Sequence, residues 1–305
     1  MPSVRVAYFG LPLGALLLAR DGHTIAYAAA CRRAPGLRRL ATHVAPGRTH
    51  VKPDPASPGA LDELRAAAPD LIVSWFWTTK LPASVLAMAP AVGVHPSLLP
   101  RHRGPDPYFW SIDAGDAETG VTAHLLDGEY DTGPILGQAR IRMDPAWNAW
   151  ELARALDRPS LRLLRDVVKA FAEGAAPAPI AQDVRKATAA PAPTDEDLAI
   201  AWSWPAARIE RRVRAAAPWP GAWTEIGQRI VTLVRVRPTT EFPRALEPAE
   251  ATVRTDGIAV VRAGDSAVEL HEGRDEDDVP LGATDLAAIV ASVASLANLT
   301  DARRM

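Results

Sequence analysis

One cysteine, Cys31, in 305 residues leaves no partner for an internal disulfide and too few thiolates for a cysteine-based zinc site. No apolar run approaches the length a bilayer demands, and the stretch after Met1 leads straight into a strand pattern rather than a signal peptide. Gly10-x-x-x-Gly14 is not a dinucleotide fingerprint, no P-loop lysine pattern occurs, and no Gly-x-Ser-x-Gly elbow surrounds Ser97. No pair of histidines has metal-ligand spacing with a carboxylate. Nicotinamide, ATP and zinc chemistry are therefore unsupported, and the cytosol is the expected compartment. A net charge of -2 neither demands nor forbids a nucleic acid, because a phosphate backbone is met by a local basic face, not a basic total.

What is present is ordinary soluble-protein material, 48% hydrophobic and 23% charged, long enough for two domains. Apolar, strand-like runs at residues 4–9, 23–30, 70–74 and 91–94 alternate with helical patterns after residue 10, at 59–67 and at 82–88. That alternation predicts an α/β domain with a Rossmann-like, mostly parallel sheet. Two further strands are expected at 120–126 and 134–143, then a long amphipathic helix at 150–173. The Ala/Pro-rich stretch around 176–200 reads as a linker. The expected division is thus 1–175, linker 176–200, and a smaller β-rich domain over 201–305 that closes on a helix near 284–296.

Chemistry concentrates in three segments: GVHPSLLPRHRG from Gly93 to Gly104, TGVTAH from Thr119 to His124, and DTGPIL from Asp131 to Leu136. His95 falls at a strand end and Asp131 in a later loop, and ligands of parallel sheets bind at the carboxyl ends of strands. A His and an Asp held together shuttle a proton, the Asp fixing the tautomer and raising basicity. The plainer alternative is that His95 caps a strand and Asp131 begins a turn.

These segments resemble the formyltransferase family that uses 10-formyl-tetrahydrofolate, whose pattern runs Asn-x-His, Ser-Leu-Leu-Pro, Gly, Thr-Gly-x-Thr-x-His and Asp-x-Gly-x-Ile. The likeness reaches back to Pro69 and to Leu81-Pro82, and forward to Trp202–Glu210 and Pro218–Thr224, which look like the start of the family's OB-like C-terminal domain. The resemblance implies a formyl transferase taking its one-carbon unit from 10-formyl-tetrahydrofolate. It gives His95 an oxyanion-stabilising and proton-moving role, and has Asp131 hold His95 and polarise the attacking amine. It lines the folate site with Ser97, Leu98, Leu99, Pro100, Trp77, Leu81 and Asp127, and Trp75 and Phe76 stand where an aromatic wall for the pterin begins. The acceptor it implies is a methionyl-tRNA-like amine, with an amino sugar or other small amine as the alternative.

Two departures bear on that implication. Where the family carries a catalytic Asn, this chain has Gly93, and losing one oxyanion donor typically costs roughly 10²–10³ in rate. Either another group supplies the donor, or the protein is a slow transferase or a folate-binding protein. If nothing else substitutes, Gly93→Asn is expected to raise turnover, limited by any positive φ at that glycine. The second departure is a basic loop, Arg32, Arg33, Arg38 and Arg39, shorter than the family's tRNA-gripping insertion. With Arg208, Arg211, Arg212 and Arg214 it forms a candidate phosphate track, or merely the solvated faces of a loop and a helix.

Overall fold

Continuous apolar runs become strands buried on both faces, as a parallel sheet covered by helices requires. The structure is a computed structural model that describes residues 2–302, with side chains as far as Val293. It divides into a first unit of residues 1–107, 118–142 and 153–191 and a second of residues 108–117, 143–152 and 192–305.

In the first unit the strands are β1 (Arg5–Gly10), β2 (Thr24–Ala30), β3 (Thr49–Val51), β4 (Leu71–Trp75), β5 (Ala91–His95), β6 (Glu118–Leu125) and β7 (Ile135–Arg142). Their order is β3-β2-β1-β4-β5-β6-β7. The first five are mutually parallel, while β6 runs antiparallel to β5 and β7 antiparallel to β6. Strand order reverses between β1 and β4, so the loops after β1, β4 and β5 open at one edge of the sheet.

The helices in chain order are α1 (Pro12–Arg20), α2 (Leu37–Ala41), α3 (Pro58–Ala67), α4 (Ala83–Leu86), α5 (Pro107–Asp113) and α6 (Ala149–Ala172). Proline at the first turn of α1 and α3 costs no helical hydrogen bond, and Ser57 caps α3 by accepting from Ala60 N. Leu156, Ser160, Leu164 and Val168 recur at four-residue spacing along α6 and are all buried. Ser160 meets a polar need there, accepting from Trp75 Nε1 at 2.6 Å. Gly10 is obligatory: its φ is +142°, and a Cβ would lie 1.8 Å from the Trp75 carbonyl oxygen.

Residues beyond α6 do not leave the first unit at once. Ile180 bridges to Ile135, and Ala189 to Arg103, so this stretch lies against the edge and loops of the first sheet.

The second unit contains α7 (Asp195–Leu198), α8 (Ala206–Ala216), β8 (Ala222–Ile226), β9 (Arg229–Thr239), β10 (Ala251–Val253), β11 (Ala259–Arg262), β12 (Ala267–Arg274), β13 (Pro280–Gly282) and α9 (Ala283–Ala302). Its sheet is antiparallel in the order β10-β11-β12-β9-β8, with β13 paired to β12. The observed architecture is therefore the expected one, a mostly parallel α/β sheet followed by a smaller β-rich domain. Among the described residues no helix is long and apolar enough to cross a membrane.

Of the α8 arginines that the sequence offers as a phosphate track or a solvated face, Arg211, Arg212 and Arg214 are held by partners within the molecule. Arg212 is buried, donates to both carboxylate oxygens of Asp113 at 2.7 and 3.0 Å, and lies over the rings of Phe109 and Trp204. Arg214 is engaged by Glu210 and by the Trp147 carbonyl, Arg211 by the Asp113 carbonyl, and Arg208 stacks on Trp204. A helix rich in arginine is in this case rich in internal partners.

Candidate functional site

β5 ends at His95, and the loop after β6 returns Asp131 to it: His95 Nδ1 stands 3.4 Å from Asp131 Oδ2. The other ring nitrogen of His95, Nε2, is 2.8 Å from the His102 carbonyl oxygen, so it carries hydrogen and donates. Asp131 adopts a left-handed φ of +56°, which a short polar side chain tolerates. Its Oδ2 accepts the Gly104 N–H at 2.9 Å, and its Oδ1 lies 3.5 Å from His124 Nε2. His124 is in turn fixed through Nδ1, 2.9 Å from the Leu125 carbonyl. Three motif residues thus gather around one carboxylate. Among the described residues no group of three or more His, Cys, Asp or Glu is arranged to hold a metal ion.

This arrangement is braced from segments that carry no motif. Gln182 donates to the carbonyls of Asp131 and Gly133 at 2.9 and 2.7 Å, and Arg103 donates to Gln182 Oε1 at 2.7 Å. Thr188 Oγ1 accepts from His102 N at 2.8 Å. At Gly104 the φ is +125° and a Cβ would meet the Ala190 carbonyl oxygen at 2.6 Å, so only glycine lets that loop approach closely.

The loop from Ser97 to Pro100 is tied to β6 and β7. Thr122 Oγ1 donates to the Ser97 carbonyl at 2.7 Å and accepts from Leu99 N at 3.0 Å, and Gln138 Nε2 reaches the Leu99 carbonyl at 2.9 Å. Ser97 itself is buried and its hydroxyl donates to the Arg101 carbonyl. Leu99 is buried, and Leu98 and Pro100 are half-buried. Asp127 turns its carboxylate onto its own loop, accepting from Glu129 N and Thr132 Oγ1.

Trp77 and Leu81 belong together in an apolar cluster with Phe9, Ile72 and Val85, with Leu126 packed against the same cluster. Trp77 meets Phe9 edge-on at 5.4 Å, and its buried Nε1 has no hydrogen-bond partner. An unpartnered donor beside an apolar wall suits a flat heterocycle bearing acceptor atoms. Trp75 is not part of such a wall: it is buried, with its indole N–H donated to Ser160. Gly93 has no positive φ, so its backbone is one any residue adopts. A Cβ there would meet Leu126 Cδ2 at 2.7 Å and His124 Nε2 at 3.4 Å.

Thr122 and His124 carry a signal in the sequence. They alternate along β6, both inside TGVTAH, and pair with His95 and Gly93 across the ladder. Gln182 and Thr188 gave no signal, because nothing in an Ala/Pro-rich stretch says where it docks.

Burial pushes the His95 imidazole below its ordinary pKa, outweighing the charge of Asp131 and the His102 carbonyl. Burial pushes Asp131 the other way, but the close approach of the His124 ring nitrogen, the charges of His95 and His124, and the Gly104 N–H together leave it below the usual carboxylate value. His23 is also lowered by burial. Histidines with lowered folded pKa values contribute stability that is complete above the unfolded value of about 6.5 and is lost as pH falls below it. Thermal stability is therefore expected to decline from pH 7 to 5, less steeply in His95→Asn. A wild-type melting temperature that stays flat over that interval, measured by circular dichroism, would refute this. The contribution of Asp131 persists above its ordinary value and disappears only as pH falls through its lowered one.

Comparison with known proteins bears on the same region. The formyl transferase family matches residues 40–168, and the family's C-terminal domain matches residues 193–290. A methionyl-tRNA formyltransferase of Anaeromyxobacter dehalogenans strain 2CP-1 is 35% identical over 301 residues, covering 93% of this chain and 96% of that protein. One from Roseiflexus sp. strain RS-1 is 36% identical over 230 residues, covering 75% of this chain and 70% of that one. Among solved structures, HypX from Aquifex aeolicus in complex with tetrahydrofolic acid superposes with a TM-score of 0.64 at 20% identity, over 93% of this chain and 46% of that one. This chain therefore spans less than half of HypX. The sugar 3N-formyl transferase WlaRD matches with a TM-score of 0.62 at 14% identity, over 90% and 99% of the two chains. Both likenesses concern the fold.

Proposed function

Because the chain belongs to the formyl transferase family, we propose that it moves a formyl group from 10-formyl-tetrahydrofolate to the amino group of a methionyl-tRNA, in the cytosol. The observation that carries the reading is the His95–Asp131 approach of 3.4 Å at the carboxyl end of the parallel sheet. Support for the acceptor comes from relatives of that activity that align along nearly the whole chain.

The folate, when bound, supplies an electrophilic formyl carbon, which exchanges its bond to N10 for one to the acceptor nitrogen; one proton leaves the amine and one arrives at N10. Trp77, Leu81 and the loop from Ser97 to Pro100 would hold it, and the loop from Asp127 to Asp131 would border it. His95, neutral and with Nε2 fixed on the His102 carbonyl, keeps its Nδ1 lone pair to accept the amine proton. Asp131 faces that nitrogen, stabilises the imidazolium that results, and thereby favours deprotonation of the amine. Burial around the two side chains strengthens each of these interactions.

Phosphate contacts fall to the loop after β2. The side chains of Arg32, Arg33, Arg38 and Arg39 make no hydrogen bond or ion pair among the described residues, and Arg33, Arg38 and Arg39 line one depression with Val51. Transfer of label from formyl-labelled folate to methionyl-tRNA is the expected result, with affinity falling steeply as salt rises. Transfer to an amino sugar and not to tRNA would move the acceptor to the small-amine class. Folate binding with no transfer to any amine would leave a binding protein.

A further inference from the structure

The position that carries an amide in the family pattern is Gly93, and the space beside it belongs to two side chains of the adjacent loop and strand. Gly93 and His124 are cross-strand partners in the β5–β6 ladder, so they present to the same face. His124 Nε2 lies 3.4 Å from where a Cβ on residue 93 would be, and an asparagine amide would lie two bonds beyond that Cβ. The ring nitrogen therefore borders the volume that the missing amide would occupy. Leu126 Cδ2, at 2.7 Å from the same Cβ position, fills the remainder.

Proton bookkeeping assigns a hydrogen to that nitrogen. The outer nitrogens, His95 Nε2 and His124 Nδ1, both face backbone carbonyls and must both be N–H. The inner nitrogens face the two oxygens of Asp131. One added proton on the two rings makes the buried trio neutral, which burial favours over either a bare carboxylate or a net cation. Oδ2 already receives the Gly104 N–H, whereas Oδ1 has His124 alone among the described residues. The added proton therefore belongs on His124 Nε2, and His95 keeps its lone pair. At 3.5 Å the contact with Oδ1 is longer than an ordinary N–H···O hydrogen bond, so this N–H holds its counter-charge without being spent on it.

We propose that His124 is a further catalytic residue, donating from Nε2 to the formyl oxygen as negative charge develops there and so replacing the amide that Gly93 lacks. The proposal rests on the formyl-transfer reading. It requires no net proton transfer: the N–H donates while the amine adds and is released when the carbonyl reforms. A charged donor in a buried site serves this purpose at least as well as a neutral amide.

The test compares wild type, His124→Gln, His124→Ala and His124→Ala with Gly93→Asn, in single-turnover transfer at saturating folate, with tetrahydrofolate affinity measured separately. Expected are a roughly 10²–10³ loss of rate in His124→Ala with affinity kept within a few-fold, a smaller loss in His124→Gln, and recovery in the double variant. A merely structural role would move affinity and melting temperature, and Gly93→Asn would not restore the rate. His124→Ala or His124→Gln retaining wild-type turnover, or a double variant no faster than His124→Ala, overturns the proposal. If His124→Ala does not fold, the decision falls to His124→Gln, where a loss in rate at unchanged affinity supports it. A wild type without transfer to any amine would instead bring down the formyl-transfer reading itself.

Discussion

Asp131→Asn is expected to lower the single-turnover rate of formyl transfer by about 10²–10⁴ while changing folate affinity only a few-fold. The substitution keeps shape and removes charge. An asparagine oxygen can still accept the Gly104 N–H, so the loop that carries residue 131 stays fixed by that bond and by Gln182. The amide's other atom would then present N–H to His124, where a carboxylate oxygen now stands at 3.5 Å. With no counter-charge, His95 gains nothing by holding a proton inside a buried site. Proton acceptance by His95 therefore becomes uphill, and this cost enters the reaction rather than binding. A rate within threefold of wild type, with a similar melting temperature, would show that the carboxylate serves the fold alone.

Arg212→Ala is expected to destabilise the second unit by about 3–5 kcal/mol, because it leaves the carboxylate of Asp113 buried without its partner. The pair is well formed, with two donors at 2.7 and 3.0 Å, and side chains only 6% and 12% exposed. Removal also empties the space between Phe109 and Trp204, over which the guanidinium lies. Replacing both members, Arg212→Met with Asp113→Leu, is expected to recover most of the loss, since matched apolar side chains avoid desolvating two charges. Urea denaturation measures both. A loss below about 1 kcal/mol in Arg212→Ala would mean that the remaining carboxylate reaches water.

The core of the first unit was legible because β1, β2, β4 and β5 are buried on both faces and therefore read as unbroken apolar runs. The elements that escaped, β3, α2, α5, α7 and β13, are too short to show a period. At the site, spacing within the motifs pointed to His95 and Asp131. It gave no sense of which neighbour each ring nitrogen would find, since that depends on the carbonyls of His102 and Leu125. The arginines of α8 misled for a related reason: composition reports charge, but the partners Asp113, Glu210 and Trp147 are distant in sequence or ordinary in kind.

Gln182 has a consequence for how this protein can be divided. The family's N-terminal match ends at residue 168, and every residue of the His95 and Asp131 motifs precedes that point. A fragment ending there would contain all the recognisable chemistry and none of the side chains that clamp the Asp131–Gly133 turn from outside. The turn would keep the Gly104 N–H on Asp131 but lose the clamp on its own carbonyls, and part of the entropy of holding it would fall on each catalytic event instead of once at folding. A shuffled or truncated relative could keep every signature residue and still work poorly, so the functional module is set by this returning strap and not by the limits of sequence similarity.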